Sequence, residues 1–431
     1  MQFVPVKGGE KRGAAAWIKH EEEQREISPS DKSLSVTRRQ TTWISHRGHC
    51  RLGAALAAQG HRVLLLDLVP PPPSVPLAPG IDFRQGDVTD ERCLESAFAG
   101  ADCVFHTASF GMSGREQLKR RRIEDVNVGG TEAVLRACVS ACVPRLVYTS
   151  TYNVVFGGQV IENGDESLPY LPLHKHPDNY SRTKAVAEMA VLRADGSALA
   201  SHRPGALRTC ALRPAGIYGP GERRHLPRVV SYIERGLFAF VYGRPDSRVD
   251  FVHVDNLVDA HALAADALRA GRGSPAGGQA YFVSDGRPVN NFEFFRPLVE
   301  GLGYEFPRAR LPLLVVYAVA FLTELLHAAV GWAVDFQPLL TRAEVYKTGV
   351  THHFSVGKAR RELGYAPAEK EFGEVVEWFR QRGHGKRRRQ QQQRRRHGRF
   401  GPVLRDLVLV AIFAALVLAF LPTVTTALLD S

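Results

Sequence analysis

The chain has 431 residues and a formal net charge of +12. That charge is local: residues 380–399 hold ten Lys and Arg and no acid, which leaves the rest near balance and removes the case for a nucleic-acid binder, since the arginines also lack an aromatic-interleaved platform. Six scattered cysteines without a C-x-x-C or zinc spacing exclude a disulfide framework and point to a reducing compartment.

In chain order, residues 1–40 are polar and charged, without the apolar core of a signal peptide, and read as a disordered extension. The stretch TTWISHRGHCRLGAALAAQGHRVLLLD (41–67) then ends as a helix, a tight turn and a strand closed by Asp67. Continuous apolar runs follow, RVLLLDL, DCVFHTAS, RLVYTST and CALRPAGIYG, alternating with helical patterns such as RCLESAFAG and NVGGTEAVLRACVSACV. Strands apolar on both faces alternating with helices predict an α/β, doubly wound parallel sheet, with its ligand site at the carboxyl ends of the strands. We place a dinucleotide-binding domain at 41–212 and a smaller substrate domain, interleaved with the last strands, at 213–378. A basic low-complexity linker follows at 379–402. Residues 407–429 carry no charge over 23 positions, enough at ~1.5 Å per residue to cross a ~30 Å hydrocarbon core, so a transmembrane helix is expected within 403–429. The arginines before it put the body on the cytosolic side. A second run, 311–334, is interrupted by Glu324 and His327 and reads as a packed or interfacial helix ahead of a second span.

NYSRTKAVAEMAVL sets Tyr180 and Lys184 four apart at the start of a helix, one above the other on one face. A cation near a phenol of pKa ~10 favours phenolate and makes a usable base. Twenty-nine residues before Tyr180, the strand RLVYTST ends in Ser150 and Thr151, either of which can offer a hydroxyl to a substrate oxygen at the sheet edge. Asp67, at the end of the second strand, is placed to accept from an adenosine ribose hydroxyl. Asn179-Tyr180-Ser181 is also the one N-x-S/T sequon, so a glycan there would block the site and reverse the topology.

The ordered series VLLLD, GDVTD, HTAS, VNVGGT, VYTST, YSRTK, LRPAGIYGPG and FVHVDNLVDAH resembles the extended short-chain dehydrogenase/reductases. Within them the run from Tyr148 to Lys184 and the membrane tail are most similar to the 3β-hydroxysteroid dehydrogenase branch and its family 42E. The resemblance implies a Rossmann-like fold, NAD as cofactor, and an apolar steroid or sterol substrate oxidised or reduced at a membrane, the endoplasmic reticulum being expected; a homodimer stays open. It implies Tyr180 as proton acceptor, Lys184 on the nicotinamide ribose and tuning Tyr180, and Thr151 (or Ser150) as the orienting hydroxyl, with Asn127 either supporting the site or kinking its helix. Asp67, Asp87, Val88, His106, Ala108, Ser109 and Pro214 to Gly219 then fall along the cofactor.

The departure is the phosphate loop. Where the family has a glycine cluster, Trp43, His46, Arg47, Gly48 and His49 stand, and TTWIS reads as a poor buried first strand. Two readings follow: a working dehydrogenase behind an N-terminus from a divergent exon, or a cofactor-poor pseudoenzyme or scaffold. A nucleotide-sugar epimerase on the same fold is a third.

Overall fold

A computed structural model describes residues 40–44, 50–71, 77–112, 116–117, 119–200, 205–330 and 340–386, with backbone alone at 40–44, 50, 272 and 328–330. All of these belong to the unit that runs from Arg38 to Ser431. The expected extension over 1–40, apart from Gln40, which begins a strand, lies outside the described residues, as do the loop 45–49 and the C-terminal stretch with its expected membrane helix at 403–429.

Seven strands, β1 (Gln40–Ile44), β2 (Arg62–Asp67), β3 (Ile81–Gln85), β4 (Ala101–His106), β5 (Arg145–Thr149), β6 (Arg208–Pro214) and β7 (Gln279–Val283), form one parallel sheet in the order β7-β6-β5-β4-β1-β2-β3. The chain builds outward from β1 to β3 and then restarts at β4 on the other side. That reversal opens a crevice at the carboxyl ends of β1 and β4, where open α/β sheets bind their ligands. The poor first strand is a correction: 40–44 is an interior strand, paired to both β2 and β4. Thr, Trp and Ile suit a pleated backbone, and ladders on both sides outweigh the polar residues in the segment.

The side chains explain why the strands read as unbroken apolar runs. Leu65, Phe105, Val147 and Leu212 face one layer, against helices α1 (Cys50–Ala58) and α6 (Val254–Ala267); Leu66, Val104, Leu146 and Ala211 face the other, against α2 (Glu91–Phe98) and α3 (Gly130–Ser140). Neighbouring residues alternate faces and both faces are covered. CALRPAGIYG divides: after β6 the chain leaves the sheet at Ala215, and Gly216–Tyr218 pairs in parallel with Phe251–His253.

Helix α4 (Asn179–Arg193) lies on the second layer, and α5 (Leu226–Arg235) begins the substrate side. Helix α6 (Val254–Ala267) and β7 come from beyond residue 213 yet complete the sheet and its helical layer. Helix α7 (Leu313–Val330) packs Val316 and Ala320 inward and exposes Leu314, Val315, Phe321, Leu322, Leu325 and Leu326. No helix among the described residues is long and apolar enough to cross a membrane. Helix α8 (Arg342–Gly349), closed by a Thr341–Glu344 capping box, packs beside it, with Arg342 paired to Glu324 at 2.8 Å.

Under α4 lies a buried ion pair. Arg213 at the end of β6 donates from Nη2 and Nε to Glu188 Oε1 at 2.6 and 2.9 Å, and the Tyr170 hydroxyl donates to the same oxygen at 2.7 Å. The two side chains are 4% and 0% exposed, so removing the cation strands a carboxylate in the core. Arg213→Met is expected to lower the unfolding free energy by about 3–5 kcal/mol in urea denaturation; a loss under about 1 kcal/mol would mean that Glu188 takes a proton instead.

Candidate functional site

The catalytic candidates sit where helix α4 meets the end of β5. Asp178 caps α4 by accepting from Ser181 N at 2.7 Å, so the helix starts immediately before Tyr180. One turn later, Lys184 falls on the same buried face; the two are 5% and 1% exposed. Lys184 Nζ donates to the Thr149 carbonyl and lies 3.9 Å from the centroid of the Tyr148 ring. Burial pulls its pKa down to about 7, against the opposing pull of Glu188. For Tyr180, burial pushes the phenol above its ordinary value. The groups opposing that rise are the Arg224 guanidinium and a hydrogen bond with Ser109. Lys184, the cation expected to tune Tyr180, has its ammonium engaged by the Thr149 carbonyl, and Arg224 is a further cation that favours the phenolate.

Both residues after β5, Ser150 and Thr151, line the same cavity, a space of ≈ 350 Å³ that Tyr180, Ser109, Pro214 and Arg224 also line. Thr151 Oγ1 accepts from Asn153 Nδ2 at 2.9 Å and from Asn153 N at 3.3 Å. With its lone pairs occupied, its own proton is left to donate. Ser150 Oγ is buried without a hydrogen-bond partner among the described residues. Thr151 is thus an oriented donor and Ser150 an unsatisfied one; both stay candidates.

Asn127 is part of the support. It lies in the π-helical turn Asp125–Gly129, accepts from Phe110 N at 2.8 Å, and donates to Phe110 O and Thr183 Oγ1, both at 3.0 Å. One amide thus ties the loop after β4 to the catalytic helix, and the two roles left open for it coincide.

The cofactor residues line up along the carboxyl edge with one exception. Asp67 closes β2, accepts from Val69 N at 3.1 Å, and with Asp87, Val88, Ala108 and Ser109 lines a slot between the ends of β2 and β4. His106 is the exception and a correction: it is 0% exposed, its Nε2 pairs with Thr131 Oγ1 at 2.9 Å, and burial drops its pKa to about 3. Strand alternation turns it into the layer shared with Val104, and its neighbours Thr107 and Ala108 meet the cavities instead. Within the sequon, Ser181 is buried and Asn179 is half-buried at the start of α4.

NAD fits what is described. The slot offers a carboxylate at a strand end to a ribose hydroxyl, and Lys184 carries N–H groups beyond the one given to Thr149. No cluster of three or more His, Cys, Asp or Glu that could hold a metal occurs among the described residues.

Several residues of the site carry no sequence signal. Arg224 is one of two adjacent arginines in GERRHLP, and nothing in the spacing selects it. Its loop is fixed by Glu222, whose carboxylate accepts from the backbone N–H of Arg224, His225 and Leu226. At the far wall, α8 reaches over the cavity: Arg228 of α5 pairs with Glu344, and Lys347 Nζ meets Asp178 Oδ2 at 2.7 Å.

A family model described as the 3-beta hydroxysteroid dehydrogenase/isomerase family matches residues 74–313. The chain belongs to that family. It is 61% identical over 374 residues to short-chain dehydrogenase/reductase family 42E member 1 of Danio rerio, covering 87% of this chain and 94% of the relative. It is 37% identical over 321 residues to the 3 beta-hydroxysteroid dehydrogenase/Delta 5-->4-isomerase of Mycobacterium tuberculosis, covering 73% and 82%. Among solved structures, the DesIV dTDP-glucose 4,6-dehydratase of Streptomyces venezuelae with NAD and DAU bound aligns at a TM-score of 0.57 and 22% identity, covering 78% of this chain and 96% of that one, which establishes the shared fold.

The burial of Lys184 has a thermodynamic signature. Its pKa is about 7 in the fold against 10.5 ordinarily, so between those values the unfolded chain binds more protons and stability rises with pH. Lys184→Met should be more stable than wild type below about pH 7, and the difference should shrink toward about pH 10 in thermal unfolding. A difference independent of pH would place the titration elsewhere.

Proposed function

We propose that this protein is a membrane-anchored, NAD-dependent oxidoreductase that interconverts a hydroxyl and a ketone on a steroid- or sterol-like substrate. The observation that carries the reading is the single cavity in which Tyr180, Ser150 and Thr151 meet a wall made of Leu237, Phe238, Phe240 and Phe292. Polar groups gather at one end of an otherwise greasy space, as an apolar molecule with one reacting oxygen requires. Membership of the family and the name of the mycobacterial relative support the steroid class.

NAD is the cofactor. Asp67 would hold its adenosine ribose and disfavour a 2′-phosphate, Lys184 would hold the nicotinamide ribose, and the bound group would supply the acceptor for the hydride leaving the carbinol carbon. In oxidation, Tyr180 takes the hydroxyl proton as the carbon–oxygen double bond forms. Thr151, its proton turned outward by Asn153, or the unsatisfied Ser150, donates to the same oxygen and holds it against Tyr180. A phenol raised by burial is a reluctant base alone, so positive charge near it is required for turnover near neutral pH.

The exposed apolar face of α7, together with the uncharged stretch 407–429, supports a body held at a membrane and facing the cytosol. An apolar substrate partitions into that membrane and enters beside α7, whose inner residues Val316 and Ala320 pack with Tyr242 of the cavity wall.

Purified full-length protein in detergent should bind NADH and oxidise 3β-hydroxysteroids with NAD. Tyr180→Phe is expected to lower kcat at least ~100-fold with little change in NADH affinity, while Lys184→Ala weakens both. Millimolar or weaker NADH affinity in the wild type would favour the scaffold reading, and turnover of nucleotide sugars in place of steroids would overturn the substrate class. A chain ending at residue 402 should wash from membranes with carbonate, whereas the full chain stays; retention of both would move the anchor to α7.

A further inference from the structure

The Tyr180 hydroxyl faces several elements at once. From its own helix come Lys184 and the capping Asp178, whose negative charge disfavours phenolate. The phenols of Tyr148 and Tyr152, from the end of β5 and the turn after it, lie close enough to interact with it. From the loop after β4 comes Ser109 and from the loop before α5 comes Arg224, and both line the cavity with Tyr180. Arg224 Nη1 donates to Ser109 Oγ and Nη2 to Ser109 O, both at 3.3 Å. Ser109 therefore seats the guanidinium in the cavity that the tyrosine lines.

The seat of Arg224 is built rather than incidental. Glu222, 5% exposed, gathers the backbone N–H groups of Arg224, His225 and Leu226 on its carboxylate and so caps the start of α5. Gly219 and Gly221, at φ +134° and +87°, supply the left-handed turns that bring the chain back into the cavity. At Gly219 a Cβ would stand 2.6 Å from Val254 Cγ1, so the turn is tight as well as left-handed.

We propose that Arg224 is a positioning residue of the active site: its guanidinium, seated on Ser109, stabilises the phenolate of Tyr180 and completes the acid–base unit that Tyr180 and Lys184 begin. Geometry gives the division of labour. Lys184 has its ammonium committed to the Thr149 carbonyl and the Tyr148 ring on the sheet side, whereas Arg224, seated on Ser109, lines the cavity with Tyr180. Arg224 favours the Tyr180 phenolate and also disfavours a second positive charge on Lys184.

The inference rests on Tyr180 being the proton acceptor, so its test must read the phenol itself. With meta-fluorotyrosine encoded at position 180 of the full-length protein, fluorine NMR reports the titration midpoint without any turnover. Arg224→Leu is expected to raise that midpoint by about one pH unit or more, equivalent to about 1.4 kcal/mol, and Arg224→Lys to restore part of it. Ser109→Ala, which removes the seat and keeps the charge, should raise it by less. In the enzyme with native tyrosine, the acidic limb of kcat/KM should move up in Arg224→Leu by the same amount, with NADH affinity unchanged. Coincident midpoints in Arg224→Leu and wild type would overturn the proposal. So would an unchanged midpoint joined to a tenfold or greater loss of NADH affinity, which would make Arg224 a cofactor ligand instead. A midpoint shift in protein that oxidises no steroid would sustain the Arg224 assignment and count against the substrate reading alone.

Discussion

Burial of the charged face of α4 is the constraint on which the rest of the structure depends. Lys184 and Glu188 sit one turn apart at 1% and 0% exposure, and an ion left without partners at such depth costs several kcal/mol. Each surrounding element answers with a partner: the Thr149 carbonyl and Tyr148 ring from β5, Arg213 from β6, and Tyr170 from the excursion between β5 and α4. These partners lie at fixed heights along the strands, so the helix can dock in one register only. That register puts Tyr180 beside Ser150 and Thr151 at the sheet's carboxyl edge.

The same reasoning separates what could be read from the sequence from what could not. Strands buried on both faces must be apolar throughout, which made RVLLLDL and RLVYTST legible. An i, i+4 pair shares a helix face wherever the helix goes, which made Tyr180 and Lys184 legible together. Strand parity was not: where both faces are apolar, nothing marks the side to which His106 points, and it lies with Val104 in the core. The interior place of 40–44 was also hidden, because a ladder on each side stabilises a strand that its composition does not announce. Arg224 was least accessible of all. Its partner Ser109 is remote along the chain, and only the turn built by Gly219, Gly221 and Glu222 brings the two together.

The site is thus assembled from two kinds of contact. On the sheet side, strand ends hold α4 with short, buried hydrogen bonds that leave no slack. On the opposite side, the cavity is walled by Val229 and Tyr232 of α5, by Leu237, Phe238 and Phe240 after it and by Phe292, with Glu344, Lys347 and Thr348 of α8 at its polar rim. The first half fixes the polar groups and the second supplies the apolar walls.

Asp178 belongs to both halves. One carboxylate oxygen caps the helix that bears Tyr180, and the other holds Lys347 of α8. A shift of α8 against that second oxygen is therefore felt at the first turn of the helix, two residues before the Tyr180 phenol. One side chain joins the start of that helix to the far wall of the cavity, so neither can be displaced without a demand on the other.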